Sequence, residues 1–352
     1  MFSSRLRRWL VVGAATVLIG GLTTLGSSAP ALAATGVPLP AHVFAPYFET
    51  WTTDSITTVA QQSGARYFTL AFLQTLSKTS CTLAWNGDNK QTLSSGRYLS
   101  DIASLRALGG DVVPSFGGWS ADQGGTEIGD SCKDVNAIAT AYESVVTTYG
   151  VTRLDMDIEG RSLAKPDGID RRNKAVKLLQ DWAASQGRIV QISYTLPTAP
   201  TGLEPSVLAV LQNAVANGVR VDFVNIMTFD YYDRVTTDMG AAAISAAQGL
   251  FNQLHTLFPA KTAAQLWAME GSTILPGIDD YPRKTEVTYL PDAQRLLDFA
   301  RANGIGILSI WAIQRDNGGC PGATDSNDCS GIVQSTWDFS HLLTPYTSRY
   351  LS

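Results

Sequence analysis

"RLDMDIEG" (153–160) sets three acids, Asp155, Asp157 and Glu159, two residues apart, with Leu154, Met156 and Ile158 in the gaps. On a β-strand alternate side chains share a face, so the run sends its carboxylates one way and its apolar residues the other. Such a strand needs an apolar layer behind it and an enclosed polar space in front. A closed ring of parallel strands wrapped in helices supplies both.

The rest of the chain keeps that rhythm. Apolar runs predict strands at 42–48, 67–73, 111–117, 153–159, 189–195, 222–229, 266–275 and 306–312. Helical patterns lie between them at 98–108, 135–149, 171–186, 206–217, 241–258 and 292–303, several ending on Gly or Asn as in "RALGG" and "RANGIG". Alternating elements point to parallel βα units, and eight strands close a barrel in about this length. The expectation is one (β/α)8 (TIM) barrel without a large insertion domain, covering 34–352. An open doubly wound sheet is the alternative, but no Gly-rich dinucleotide fingerprint follows the first strand.

The first 33 residues read as a secretory signal. Arg5, Arg7 and Arg8 precede the apolar run "WLVVGAATVLIGGLTTLG", and "APALAA" (29–34) supplies small residues for cleavage. The run approaches membrane-spanning length, yet Ala31-Leu32-Ala33 follows at once, so export rather than anchoring is expected, with no membrane association afterwards. Charged residues make up 16% and the net charge is −5. No basic stripe exists, which argues against a nucleic-acid partner. Cys81, Cys132, Cys320 and Cys329 fit two disulfides in an exported protein. Three pairings are possible; a local Cys320–Cys329 bridge closes a short polar loop and leaves Cys81 with Cys132. A metal site is a poor alternative: there is no C-x-x-C, and His42, His255 and His341 are scattered. No cofactor is expected.

Glu159 lies toward the C-terminal end of its strand, the end where barrel enzymes keep their chemistry. Carboxylates this close, in a partly dry setting, cannot all ionise, so at least one carboxyl keeps its proton at neutral pH. That proton suits cleavage of a glycosidic bond. A strand with acids on its wet face, or a cation site, is the competing reading; no EF-hand spacing occurs, including in "DSNDCSG" (325–331).

"LDMDIEG" resembles the D-x-x-D-x-D-x-E signature of glycoside hydrolase family 18, the chitinase family. "PSFGG" (114–118) resembles its S-x-G-G strand, "NIMTFDYY" (225–232) its M-x-Y-D strand, and "LSIWAIQRDN" (308–317) its last strand. With "SYTLPTAPTGL", the set looks most like the bacterial chitinase D-like branch. The resemblance implies a secreted, monomeric chitinase acting on chitin or N-acetylglucosamine oligosaccharides by substrate-assisted catalysis. Glu159 is then the proton donor, Asp157 the group holding the substrate's acetamide, and Asp155 the residue tuning Asp157. Trp311 stacks under the sugar, Met227 and Asp230 line the pocket, and Ser115 supports Asp155. Tyr47, Trp51 and Trp119 are candidates for extending the groove. Residues two apart on a strand are roughly 6.7 Å apart, a spacing that by itself suggests an inverting enzyme; the resemblance implies retention instead.

Two positions depart from the family pattern. The signature's first acid falls on Thr152, expected deepest in the barrel, and the tyrosine of M-x-Y-D is Phe229. Tyr231, on the same strand face if the strand runs on regularly, is the candidate to supply the missing hydroxyl. The roughly thirty residues between 275 and 306 hold a loop and a helix, but not the extra lobe that walls the groove in exo-acting relatives, so an open, endo-acting cleft is expected. An endo-β-N-acetylglucosaminidase acting on N-glycans and a chitin-binding lectin on the same barrel are the rival functions; retention of Glu159 argues against the second.

Overall fold

The computed structural model describes residues 36, 38–280, 285–324 and 327–347. The signal expected over 1–33 lies outside the described residues.

Its strands are β1 (Val43–Phe44), β2 (Tyr47–Glu49), β3 (Tyr67–Thr75), β4 (Leu83–Trp85), β5 (Asp111–Gly117), β6 (Arg153–Asp157), β7 (Gln191–Pro197), β8 (Phe223–Met227), β9 (Glu270–Ile274), β10 (Gly277–Ile278), β11 (Val287–Thr288) and β12 (Ile307–Ile310). The helices are α1 (Ile56–Ser63), α2 (Leu99–Ala107), α3 (Trp119–Gly124), α4 (Ile128–Ser131), α5 (Val135–Tyr149), α6 (Pro166–Ser185), α7 (Pro205–Ala216), α8 (Met239–Leu257), α9 (Ala263–Met269), α10 (Leu290–Asn303) and α11 (Asp338–Leu343).

The main sheet runs β1-β12-β9-β8-β7-β6-β5-β3-β2, every neighbour parallel, with β4 antiparallel beside β3. β1 and β2 are two pieces of one first strand, separated by Ala45 and Pro46; Pro46 has no N–H to offer the ladder. One piece pairs with the last strand and the other with the second, so the ring closes with eight staves. This is the expected barrel, with no added lobe among the described residues.

Packing follows the alternation of "RLDMDIEG". Leu154, Met156 and Ile158 are buried in the large core shared with helix residues such as Val176 and Leu179 of α6, while Asp155 and Asp157 face the barrel interior. The floor of that interior is plugged by Val43, Tyr67, Val113, Phe223 and Ile307, near the starts of their strands.

Several boundaries differ from the sequence expectation. Helix α1, between the first two staves, was not among the expected helices; its eight residues carry only Ile56, Val59 and Ala60 as an apolar stripe. The run 266–275 begins as helix α9 rather than strand, because Thr262 and Gln265 form a capping box that starts a helix whose Leu266 and Met269 face inward. Between β9 and α10 lies the small antiparallel hairpin β10–β11. Both disulfides form, Cys81–Cys132 and Cys320–Cys329.

Candidate active site

Strand register assembles the acid column. Asp155 lies opposite Ser115 of β5 and Ser193 of β7, and Asp157 opposite Gly117 and Thr195. Asp155 is therefore well served: Ser115 Oγ donates to its Oδ2 at 2.7 Å, Thr195 Oγ1 to its Oδ1 at 2.8 Å, and the Tyr47 hydroxyl to Oδ2 at 3.1 Å. Burial pushes its carboxyl up while these donors hold it down. One pleat higher, Asp157 is buried too, but its Oδ1 has no hydrogen-bond partner. Burial drives its carboxyl well above the usual range, reinforced by the charges of Glu159, Asp155 and Asp122. Glu159 follows the end of β6 and is partly exposed. Burial pushes its carboxyl up to about 7, and the Trp119 N–H pulls the other way. The column thus passes from a carboxyl satisfied by three donors below to carboxyls whose proton affinity burial raises toward the mouth.

"SFGG" leaves room for this stack. A Cβ on Gly117 (φ 98) would lie 2.1 Å from Asp157 O, and one on Gly118 (φ 79) 2.5 Å from the Phe72 ring. Only glycine fits both the backbone angles and the space.

Trp311 directly follows β12. Its ring lies nearly parallel to Phe72 (5.5 Å between centroids, 16°), 5.5 Å from Tyr47 and 6.2 Å from Trp51. This forms an aromatic platform beside the acids. Trp51 and Trp119 stand at the rim, 46% and 60% exposed. Tyr47 instead is buried, 2% exposed, and serves Asp155 from below rather than extending a groove.

The opposite wall is irregular. Met227 ends β8, and with Phe229, Met239 and Leu275 it forms an apolar cluster against which Tyr231 and Trp311 pack. The strand does not run on: Asp230 (φ 51) and Tyr232 (φ 52) are left-handed. Tyr231 reaches the cluster through a turn, not by the strand alternation expected of it, and its hydroxyl is buried without a hydrogen-bond partner. Carboxylates of the β10–β11 hairpin hold that turn. Glu286 accepts the Tyr231 N–H at 2.7 Å and the Tyr232 N–H at 3.0 Å, and Asp279 accepts the Asp230 N–H at 3.2 Å. Burial, then the charge of Asp279, pushes the Asp230 carboxyl up to about 8.

Thr152 is not the deepest member of the column. It precedes β6 and has the wrong parity for the interior, whereas Arg153 shares the parity of the acids. Arg153 lies over the Phe223 ring at 3.9 Å and donates to Gln191 Oε1 at 2.9 and 3.1 Å. Sequence reasoning also passed over Thr195, Asp122 and Glu286. Arg153 could have been found from the alternation R-D-D-E; Asp122 and Glu286 lie on other elements, with no local signal linking them to the acids.

The site therefore offers a proton donor near neutral pH, a buried carboxyl with an unclaimed oxygen, a buried hydroxyl without a partner, and an aromatic platform. This is equipment for a neutral sugar and acid-assisted bond cleavage. Residues 43–296 match the sequence pattern described as Glycosyl hydrolases family 18. A probable bifunctional chitinase/lysozyme of Escherichia coli (strain K12) is 35% identical over 324 residues, 88% of this chain and 35% of that protein. Endochitinase 11 of Metarhizium anisopliae is 37% identical over 288 residues, 79% of this chain and 53% of its own length. The chain thus spans about half or less of these curated relatives. The catalytic domain of the hyperthermophilic chitinase from Pyrococcus furiosus superposes with a TM-score of 0.78 at 31% identity, covering 89% of this chain and 97% of that one.

Proposed function

This chain belongs to glycosyl hydrolase family 18, and from that premise we propose that it is a chitinase cleaving β-1,4 bonds between N-acetylglucosamine units. The acid column of β6 carries this reading: Glu159, held near pH 7 by burial, stands above an Asp157 whose Oδ1 has no partner. Glu159 protonates the departing glycosidic oxygen. The acetamide oxygen of the bound sugar attacks the anomeric carbon, and the bond to the leaving group breaks, giving an oxazolinium ion. Asp157 holds the acetamide N–H and stabilises the positive charge, with Asp155 beneath it. Water then opens the oxazolinium as Glu159 takes back a proton, so the β configuration is retained, the substrate-assisted exception to two-carboxylate hydrolysis. Tyr231 supplies the hydroxyl absent at Phe229, and Trp311 supports the sugar's apolar face. Within the family, its motifs favour the chitinase D-like branch.

The cleft is open and the action endo. The short hairpin β10–β11 supports this, since it is the only strand pair between β9 and α10 among the described residues. The chain acts outside the cell after loss of residues 1–33, as a monomer. Product analysis on N-acetylated oligosaccharides tests the chemistry: the β anomer is expected first, with no cleavage of cellulose or fully deacetylated chitosan. Initial α anomer, or cellulose cleavage, would overturn it. Pure disaccharide from the earliest times would overturn endo action alone.

A further inference from the structure

Glu159 is held from outside its own strand. Helix α3 begins directly after "SFGG" and packs over Glu159 and Gly160. A Cβ on Gly160 (φ 45) would meet Gln123 Nε2 at 2.3 Å and the Trp119 ring at 3.2 Å. The helix grips Glu159 at two points. The Trp119 N–H donates to the Glu159 carboxylate, and Asp122 Oδ2 accepts the Glu159 N–H. Side chain and main chain of one residue are thus tied to one short helix, in the reciprocal manner of a capping box but between distant segments. Asp122 is fully buried, and its Oδ1 meets no hydrogen-bond partner. A carboxyl placed at that cost (burying an unsatisfied polar group is destabilising) calls for a role beyond packing.

We propose that Asp122 is a positioning residue for the acid: by accepting the Glu159 N–H from α3 it fixes the peptide from which the proton-donating carboxyl projects. The inference rests on the reading of Glu159 as the acid. The charged and titratable groups facing Asp122 are Glu127, Glu159, Asp157 and Arg172. Burial, then Glu127 and Glu159, drives the Asp122 carboxyl well above its usual range, with Arg172 opposing. That shift favours its neutral form. What it offers the Glu159 N–H is an acceptor oxygen rather than a charge.

That distinction sets the test. The full chain carrying Asp122→Ala, Asp122→Asn or Glu159→Gln is assayed on N-acetylglucosamine oligosaccharides of defined length, with kcat, KM, the pH–rate profile and Tm recorded. Asp122→Ala is expected to lower kcat about 10-fold or more with KM within about 2-fold, because misplacement of a catalytic group costs rate rather than binding. Its basic limb is expected to move to lower pH by about half a unit, as water reaches Glu159 and relieves the burial. Asp122→Asn, whose amide oxygen accepts the same N–H, is expected to stay within about 3-fold of the parent with an unmoved limb. A folded Asp122→Ala with kcat within about 2-fold of the parent would overturn the proposal. So would an Asp122→Asn as impaired as the alanine variant. Should Asp122→Ala fail to fold, Asp122→Asn decides alone by the same criterion. Near-parental activity in Glu159→Gln would bring down the acid assignment itself, and this inference with it.

Discussion

The two walls of the site are built differently. The β5–β6 wall is regular: register sets Ser115 beside Asp155 and Gly117 beside Asp157, and each acid stands on β6 or within two residues of its end. The β8 wall leaves regular structure at Met227, turns through left-handed Asp230 and Tyr232, and depends on hairpin carboxylates to hold its backbone. Position on the first wall is fixed by the pleat as far as Asp157, with α3 holding Glu159 beyond it. On the second it is fixed by contacts made across 49 to 55 residues of sequence. The first wall should therefore carry the chemistry and the second should modulate it.

The largest effects are expected on the regular wall. Glu159→Gln removes the proton donor, and kcat should fall by about 10³-fold or more. Asp157→Asn cannot stabilise a cationic intermediate and should cost roughly 10²- to 10³-fold, with KM little changed. The parent's rate should also decline as pH rises through about 7, where Glu159 loses its proton. A rate still climbing at pH 8 would remove Glu159 from the acid role. On the irregular wall, Tyr231→Phe should cost about 10-fold in kcat, the loss of one preorganised donor. Equal losses from Tyr231→Phe and Asp157→Asn would erase the contrast between the walls.

The same contrast governs what could be read from sequence. Asp155, Asp157 and Glu159 were legible because a period of two determines which face a strand residue takes, and because their neighbours are apolar. The barrel itself was legible from eight such runs. Misplaced were features decided by competition between local signals or by distant partners. The capping box at Thr262 outweighed an apolar run that read as strand through 266–269. Parity excluded Thr152 from the interior in favour of Arg153. The route of Tyr231 was hidden because left-handed residues at Asp230 and Tyr232 are stabilised by Asp279 and Glu286, far along the chain. Asp122 was hidden for the same reason, its partner being a main-chain N–H on another element.

A smaller effect should come from the hairpin. Glu286→Gln keeps one acceptor oxygen where two N–H groups now bond, so one of Tyr231 and Tyr232 loses its partner, at about 1–3 kcal/mol. A kcat reduction of about 3-fold and a Tm lower by a few degrees are expected. The pH dependence has a defined sign. Glu286 and Asp230 are both pushed up to about 8, chiefly by burial. Folded carboxyls raised above their unfolded values contribute stability that is fully present below about pH 4.5 and is lost as pH climbs through 8. Tm should therefore be lower at pH 9 than at pH 6, and Glu286→Gln should flatten that slope. A Tm rising between pH 6 and 9 would contradict the assignment.

The smallest effect is expected at Phe229, and it separates the walls most finely. Phe229 sits 9% exposed in the cluster of Met227, Met239 and Leu275. Phe229→Tyr restores the family's tyrosine in sequence, so a site governed by motif alone would gain rate from it. Here the functional hydroxyl is assigned to Tyr231, which already packs against the same cluster, so a second hydroxyl has no acetamide left to meet. Its burial among apolar side chains should cost about 1–3 kcal/mol of stability, while kcat stays within about 2-fold of the parent. The double variant Phe229→Tyr with Tyr231→Phe then decides which position owns the hydroxyl. If the turn at Asp230 is what aims it, the double variant stays as slow as Tyr231→Phe alone. If it returns to the parent's rate, the strand position suffices, and the irregular wall is a detour rather than a requirement.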